Sequence, residues 1–140
     1  RKSPMRVSFS TSIINSRNLN SVNDALAAGV SKAAMLVQGS AKNKAPVDSG
    51  TLRQSIRADK AKIQGENVTA TVSTNLEYAP YVEFGTGSRG QSTNTNTEVE
   101  VSYRSDWRGN KAQPFLWPAL RENRNNSIKI IREEIRKAVK

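Results

Sequence analysis

Gly85, Gly87 and Gly90, in the stretch VEFGTGSRGQ (82–91), set out a G-x-G-x-x-G spacing. In a strand–turn–helix unit that spacing brings backbone N–H groups up to a pyrophosphate. The chemistry requires a helix after the third glycine, because the helix N-terminus supplies the positive end of a dipole. Here Gly90 is followed by Gln-Ser-Thr-Asn-Thr-Asn-Thr, residues that compete with helix by hydrogen-bonding their own backbone. No strand–helix–strand pattern surrounds the glycines. An acid does lie some way on, Asp106, but in a loop and not at a strand end. The glycines read as the end of a short helical turn and the opening of a loop.

Other chemistries are equally thin. Asp48, Glu77 and Glu83 could in principle supply a carboxylate pair for glycoside chemistry, but no spacing demands it, and solvated carboxylates are the simpler reading. Tyr78 and Tyr81 could stack on bases. Beside Val82 and Phe84 they read instead as packing residues against a hairpin. The chain has no cysteine and no histidine, which removes thiol nucleophiles, imidazole bases, Ser-His-Asp triads and nearly every usual zinc site. No catalytic, metal or cofactor site is expected. No apolar run approaches the roughly 20 residues that span a membrane.

Net charge is +10 over 140 residues, and it is uneven. Residues 1–60 carry +7, residues 61–100 carry −3 and residues 101–140 carry +6. A basic balance of this kind points to nucleic acid or an acidic protein surface as partner, or to a solvated face that maintains solubility. With 36% hydrophobic and 6% aromatic residues, the chain can fill one core, and part of it must be extended or ordered by neighbours.

The elements that would position these residues make an α+β domain. Residues 1–18 are polar with a Val7/Phe9 alternation, an N-terminal arm or edge strand. Val22, Leu26, Val30, Ala33, Val37 and Ala41 recur at helical steps, and Ser21 with Asp24 resembles a capping box. Gly29 and Gly39 weaken that helix, although small residues on a stripe admit a second backbone. Pro46 stops it. Leu52–Ile63 reads as a strand, Gly65–Asn67 as a turn and Val68, Ala70 and Val72 as a second, half-buried strand. One helical turn is expected over Tyr81–Phe84, ended by Gly85. Residues 88–112 read as a long mobile loop around one weak strand, Glu98–Tyr103. Pro118 opens a last helix whose Ile128, Ile131, Ile135 and Val139 form one apolar stripe, expected to be buried. The expected fold is a small antiparallel sheet packed by an N-terminal and a C-terminal amphipathic helix. It forms a single domain over 19–140.

Three segments occur in order between the two helices: KAPVDSGTLRQSI (44–56), YAPYVEFGTG (78–87) and AQPFLWPAL (112–120). Read together they resemble the minor tail-component proteins of long-tailed bacteriophages, the tail-completion or head–tail joining family. Ser49 stands where threonine is commoner and Trp117 where arginine is commoner. The resemblance spans roughly residues 20–140. It implies a non-enzymatic virion protein in the neck, at the top of the tail. Such a protein forms a ring, usually six-fold, around the DNA channel, and is assembled in the bacterial host cytoplasm. Implied partners are further copies of the chain, a connector or stopper, a tail terminator or tail tube, and transiently the passing genome, with no membrane.

The motif positions carried over are Pro46, Asp48, Gly50 and Leu52 in the first segment, Tyr78, Tyr81, Val82, Glu83, Phe84 and Gly85 in the second, and Pro114, Phe115, Leu116 and Pro118 in the third. Physics assigns them roles in the fold. Asp48 and Gly50 fix the turn into the first strand, Phe84 and Gly85 anchor and then release the chain, and Pro114 and Pro118 set the approach of the last helix. Val99, Val101, Tyr103 and Trp107 are the large apolar residues of the long loop. They are candidates to add a strand to a neighbour's sheet or to pack on a ring partner. The rival function is a basic nucleic-acid-binding module that grips phosphates with its basic ends.

Overall fold

The computed structural model describes residues 5–12, 20–46, 50–64 and 67–139. Its elements run β1 (Met5–Ser12), α1 (Asn20–Lys44), α2 (Gly50–Ser55), β2 (Arg57–Ala58), β3 (Lys62–Gln64) and β4 (Asn67–Thr74). Then come α3 (Ala79–Phe84), α4 (Gly87–Thr93), α5 (Leu116–Glu122) and α6 (Arg124–Ala138). The fold is α+β, a small antiparallel sheet packed by helices from both ends of the chain.

The sheet is built on β4. Its sequence alternates, so Val68, Ala70, Val72 and Thr74 are buried while Thr69, Thr71 and Ser73 face away. One edge pairs antiparallel with β1, from Met5↔Thr74 to Ser12↔Asn67. The other edge pairs first with β2 (Ala58↔Val72) and then with β3 (Lys62↔Thr69). Between those pairs residues 59–61 oppose only residues 70–71, a β-bulge. Asp59 N–H still reaches Thr71 O at 2.8 Å. The bulged edge takes other acceptors from α1: Ala58 N–H donates to Gln38 Oε1 (2.6 Å) and Ala61 N–H to Ser31 Oγ (2.9 Å). Those two bonds fix α1 over one face of the sheet.

The core lies beneath α1. The expected stripe Val22, Leu26, Val30, Ala33, Val37 and Ala41 is buried, and Leu26, Val30, Val37 and Ala41 of it, with Ala34, pack with Val68, Ala70 and Val72. At Gly29 a Cβ would stand 2.8 Å from Ile131 Cα, so α1 and α6 cross there with almost no side-chain spacer. Two ion pairs clamp α1 to the C-terminal helices, Lys32–Glu134 at 2.9 Å to α6 and Lys44–Glu122 to α5.

Four expectations need correction. Leu52–Ile63 is not a continuous strand: Gly50–Ser55 is helical, and only Arg57–Ala58 and Lys62–Gln64 pair with β4. The signal was there. Leu52 and Ile56 are four apart and both fully buried, which is helical spacing. Gly50 therefore opens a helix and not a strand, and a Cβ on it would meet open space. The stripe of α6 is only partly inward: Ile131 and Ile135 pack against the core, but Val139 is 63% exposed. Glu98–Tyr103 is loop and not strand, and residues 87–93 within the glycine-rich stretch are helical. Asp48 lies outside the described residues.

Candidate functional site

The second and third sequence motifs meet in one place. α3 begins with Pro80 in its first turn, where a missing N–H costs nothing. It ends at Gly85, whose N–H donates to Tyr81 O at 2.9 Å. Gly85 has φ +73°, a conformation in which any side chain is strained. Two residues earlier, Glu83 is 2% exposed. Its carboxylate points at the start of α5: Oε1 accepts from Phe115 N–H (3.1 Å) and Leu116 N–H (2.9 Å), and Oε2 from Trp117 N–H (3.3 Å). A helix start leaves such donors without intrahelical partners. In α5 no local side chain caps them, and Glu83 does so from a distance. Gln113 N–H donates to Val82 O at 2.8 Å beside it.

Burial pushes the Glu83 carboxyl up, and the three amide donors from Leu116, Phe115 and Trp117 partly offset that. The expectation of a solvated carboxylate is therefore wrong for Glu83. Both of its oxygens accept from backbone donors, and its burial keeps the carboxyl away from solvent. Glu77 is exposed. Among the described residues no cluster of acidic side chains could hold a metal ion.

The three glycines of the opening motif serve a chain crossing. The backbone of residues 107–112 runs over residues 85–90. Thr86 and Asn110 exchange N–H···O bonds of 2.8 and 3.0 Å, Ser88 N–H reaches Trp107 O (2.9 Å) and Arg89 N–H reaches Arg108 O (2.8 Å). A Cβ on Gly85 would stand 2.5 Å from Ala112 N, on Gly87 2.5 Å from Trp107 O, and on Gly90 2.6 Å from Gly85 C. Of the amides that would cradle a phosphate, those of Gly85, Thr86, Ser88, Arg89 and Gly90 are already used. Tyr103 closes the crossing: its hydroxyl donates to Phe84 O (2.8 Å) and accepts from Asn94 Nδ2 (2.8 Å).

The remaining motif residues divide by burial. Leu52, Phe115, Leu116 and Pro118 are buried, and Pro46, Val82, Phe84 and Pro114 are half-buried. Tyr78 and Tyr81, expected as packing residues, are 40% and 53% exposed. Of the loop residues, Val99 and Trp107 are exposed, while Val101 and Tyr103 are half-buried. Trp117, expected with Phe115 and Leu116 as an apolar anchor of the last helix, is half-buried with the Arg121 guanidinium 4.4 Å above its ring. Sequence reasoning missed the Glu83 cap. Its only trace was a glutamate amid apolar residues at a fixed place before a glycine.

Among the described residues no helix is long and apolar enough to cross a membrane. No curated protein and no solved structure matches the chain. Residues 17–85, about half of the chain, match the family model described as "Bacteriophage HK97-gp10, putative tail-component". That span holds the first motif and most of the second, ending just past Glu83, whose hydrogen bonds join the third motif to it. Over residues 17–85 the chain is similar to the HK97-gp10-like family of bacteriophage tail components.

Proposed function

We propose that this protein is a structural subunit of the virion neck that completes the tail and joins it to the head. Copies form a closed ring, six-fold by resemblance, around the DNA channel at the top of the tail. The ring contacts a connector or stopper above and a tail terminator or tail tube below, after assembly in the host cytoplasm. The observation that carries the reading is the family match over residues 17–85, extended to the third motif by the Glu83 cap. The subunit acts by assembly and not by catalysis.

A cyclic ring needs two different complementary patches on each subunit. The charge layout supplies a pair, the acidic stretch 61–100 against the basic ends. Glu98, Val99 and Glu100 stand exposed on the crossing loop, with Trp107 beyond them. Such contacts steer and register subunits more than they add affinity, so the free protein closes into a ring only on a tail or connector template. The test is a phage lacking the gene. Filled heads and separate tails that fail to join, rescued by the wild-type chain, are expected. Normal joined virions, or a block in genome replication, would overturn the reading.

A further inference from the structure

We propose that the face of the sheet turned away from α1 is a surface for the phosphate backbone of duplex DNA. This deepens the neck-ring reading by naming the face turned to the channel.

The strand register builds that face. Arg6 and Arg57 both oppose Ser73, one from each side of β4. Four residues along, Ser10 and Lys62 both oppose Thr69. With strands about 4.8 Å apart and a rise of about 3.4 Å per residue, the two arginines straddle about 10 Å. The two rows lie about 13 Å apart. Between them Ser8 Oγ and Thr71 Oγ1 are hydrogen-bonded at 3.1 Å, and Thr69 Oγ1 donates to Ser10 Oγ at 3.1 Å. The surface is thus a hydroxyl ladder bounded by cations, with Lys60 beside them in the groove over the bulge. Asp59 is the single carboxylate among the described residues of that groove. Arg6, Arg57, Lys60 and Lys62 are exposed and, among the described residues, none of them is in an ion pair.

The chemistry selects the partner. Lysine, arginine, serine and threonine are the side chains that contact phosphate and sugar without reading bases. No aromatic ring stands on these rows, so single strands, which bind by stacking, find no platform. A protein partner would meet none of the apolar or aromatic groups that form interface cores. The α6 surface differs: Arg136 is paired with Glu133, and Ile128 and Trp117 lie among its cations. Few cations spread over hydroxyls give weak, sequence-independent contact, which lets a duplex slide.

The test titrates the full chain into a fluorescent random-sequence 30-bp duplex, by anisotropy, from 50 to 200 mM salt. The wild type should bind the duplex more tightly than a single strand of equal length. Arg6→Ala/Arg57→Ala/Lys62→Ala should bind at least tenfold more weakly at 50 mM salt, with a log–log salt slope shallower by about 2–3. Arg57→Gln/Lys62→Gln serves as a milder variant if circular dichroism shows the triple to be unfolded. Arg124→Ala/Arg132→Ala on α6 should change little. The proposal is overturned if the wild type ignores the duplex, if single strands bind better, or if only the α6 variant loses binding. It is also overturned if polyglutamate of equal charge displaces the label as well as unlabelled duplex does. Joining of heads and tails is read separately in infected cells, so a joining protein that ignores duplex DNA overturns this inference alone.

Discussion

The Glu83 carboxylate accepts the Leu116 N–H at 2.9 Å across 33 residues of sequence. The bond joins a helix that closes one motif to a helix that opens another. The intervening segment, with its chain crossing, is thereby held as a loop of fixed ends. An apolar residue at position 83 would fill the volume and leave the start of α5 unpaired.

Glu83→Ala should therefore destabilise the fold by roughly 2–4 kcal/mol, since each orphaned buried donor costs about 1–3 kcal/mol. Glu83→Gln keeps one acceptor oxygen and should lose less. Urea unfolding followed by circular dichroism gives both values. An alanine variant with an unchanged midpoint would show that the α5 amides find another acceptor.

Two glutamates give opposite pH responses. Burial raises the Glu83 carboxyl in the fold, so the native state binds the extra proton. Its contribution is greatest below the ordinary glutamate range and is lost as pH rises through that range to the raised value. Glu134 is lowered, first by the Lys32 hydrogen bond and then by Lys137. Its contribution is present above the ordinary range and is lost as pH falls through the lowered value. Relative to wild type, Glu83→Gln should gain stability as pH rises through the carboxylate range, and Glu134→Gln should lose it. Unfolding midpoints measured across that range check both signs.

What the sequence made legible followed from periodicity. The α1 stripe, the alternation of β4 and the Gly85 stop are local patterns, and the structure has all three. In α2 the helical signal is a single four-residue step, Leu52 to Ile56, which a strand reading of 52–63 absorbs. The G-x-G-x-x-G spacing was legible as something other than a nucleotide loop, because nothing after Gly90 favours a long helix. Its actual use, making room for residues 107–112, depends on a contact between distant segments and has no local signature. The Glu83 cap was hidden for the same reason. The exposure of Tyr78 and Tyr81 was not legible from their neighbours in sequence, because the neighbours in space decide it.

Position along the α6 stripe should matter more than residue type. Ile131 packs on the core and crosses Gly29, whereas Val139 is 63% exposed. Ile131→Asp places a charge without a partner against apolar surface and should cost several kcal/mol. Val139→Asp should stay within about 0.5 kcal/mol of wild type, as surface changes do. Thermal melts of the two variants decide, and equal losses would mean that the helix end is packed too.

Gly29 and Gly39 lie on one helix and should respond to alanine in opposite directions. Replacing glycine by alanine in a helix interior gains up to about 1 kcal/mol from backbone entropy alone. At Gly39 nothing lies within 4 Å of the added Cβ, so that gain should appear in full as a higher melting temperature. At Gly29 the Cβ would meet Ile131 Cα at 2.8 Å, and a backbone atom cannot turn aside as a side-chain tip can. α6 must then move off α1, lengthening the Lys32–Glu134 ion pair and opening the packing of Ile131 and Ile135. Overpacking of this kind costs about 1–3 kcal/mol, more than the entropy gain. Gly29→Ala should therefore melt below wild type and Gly39→Ala above it. If both variants melt higher, the crossing of α1 and α6 is looser than a direct backbone contact.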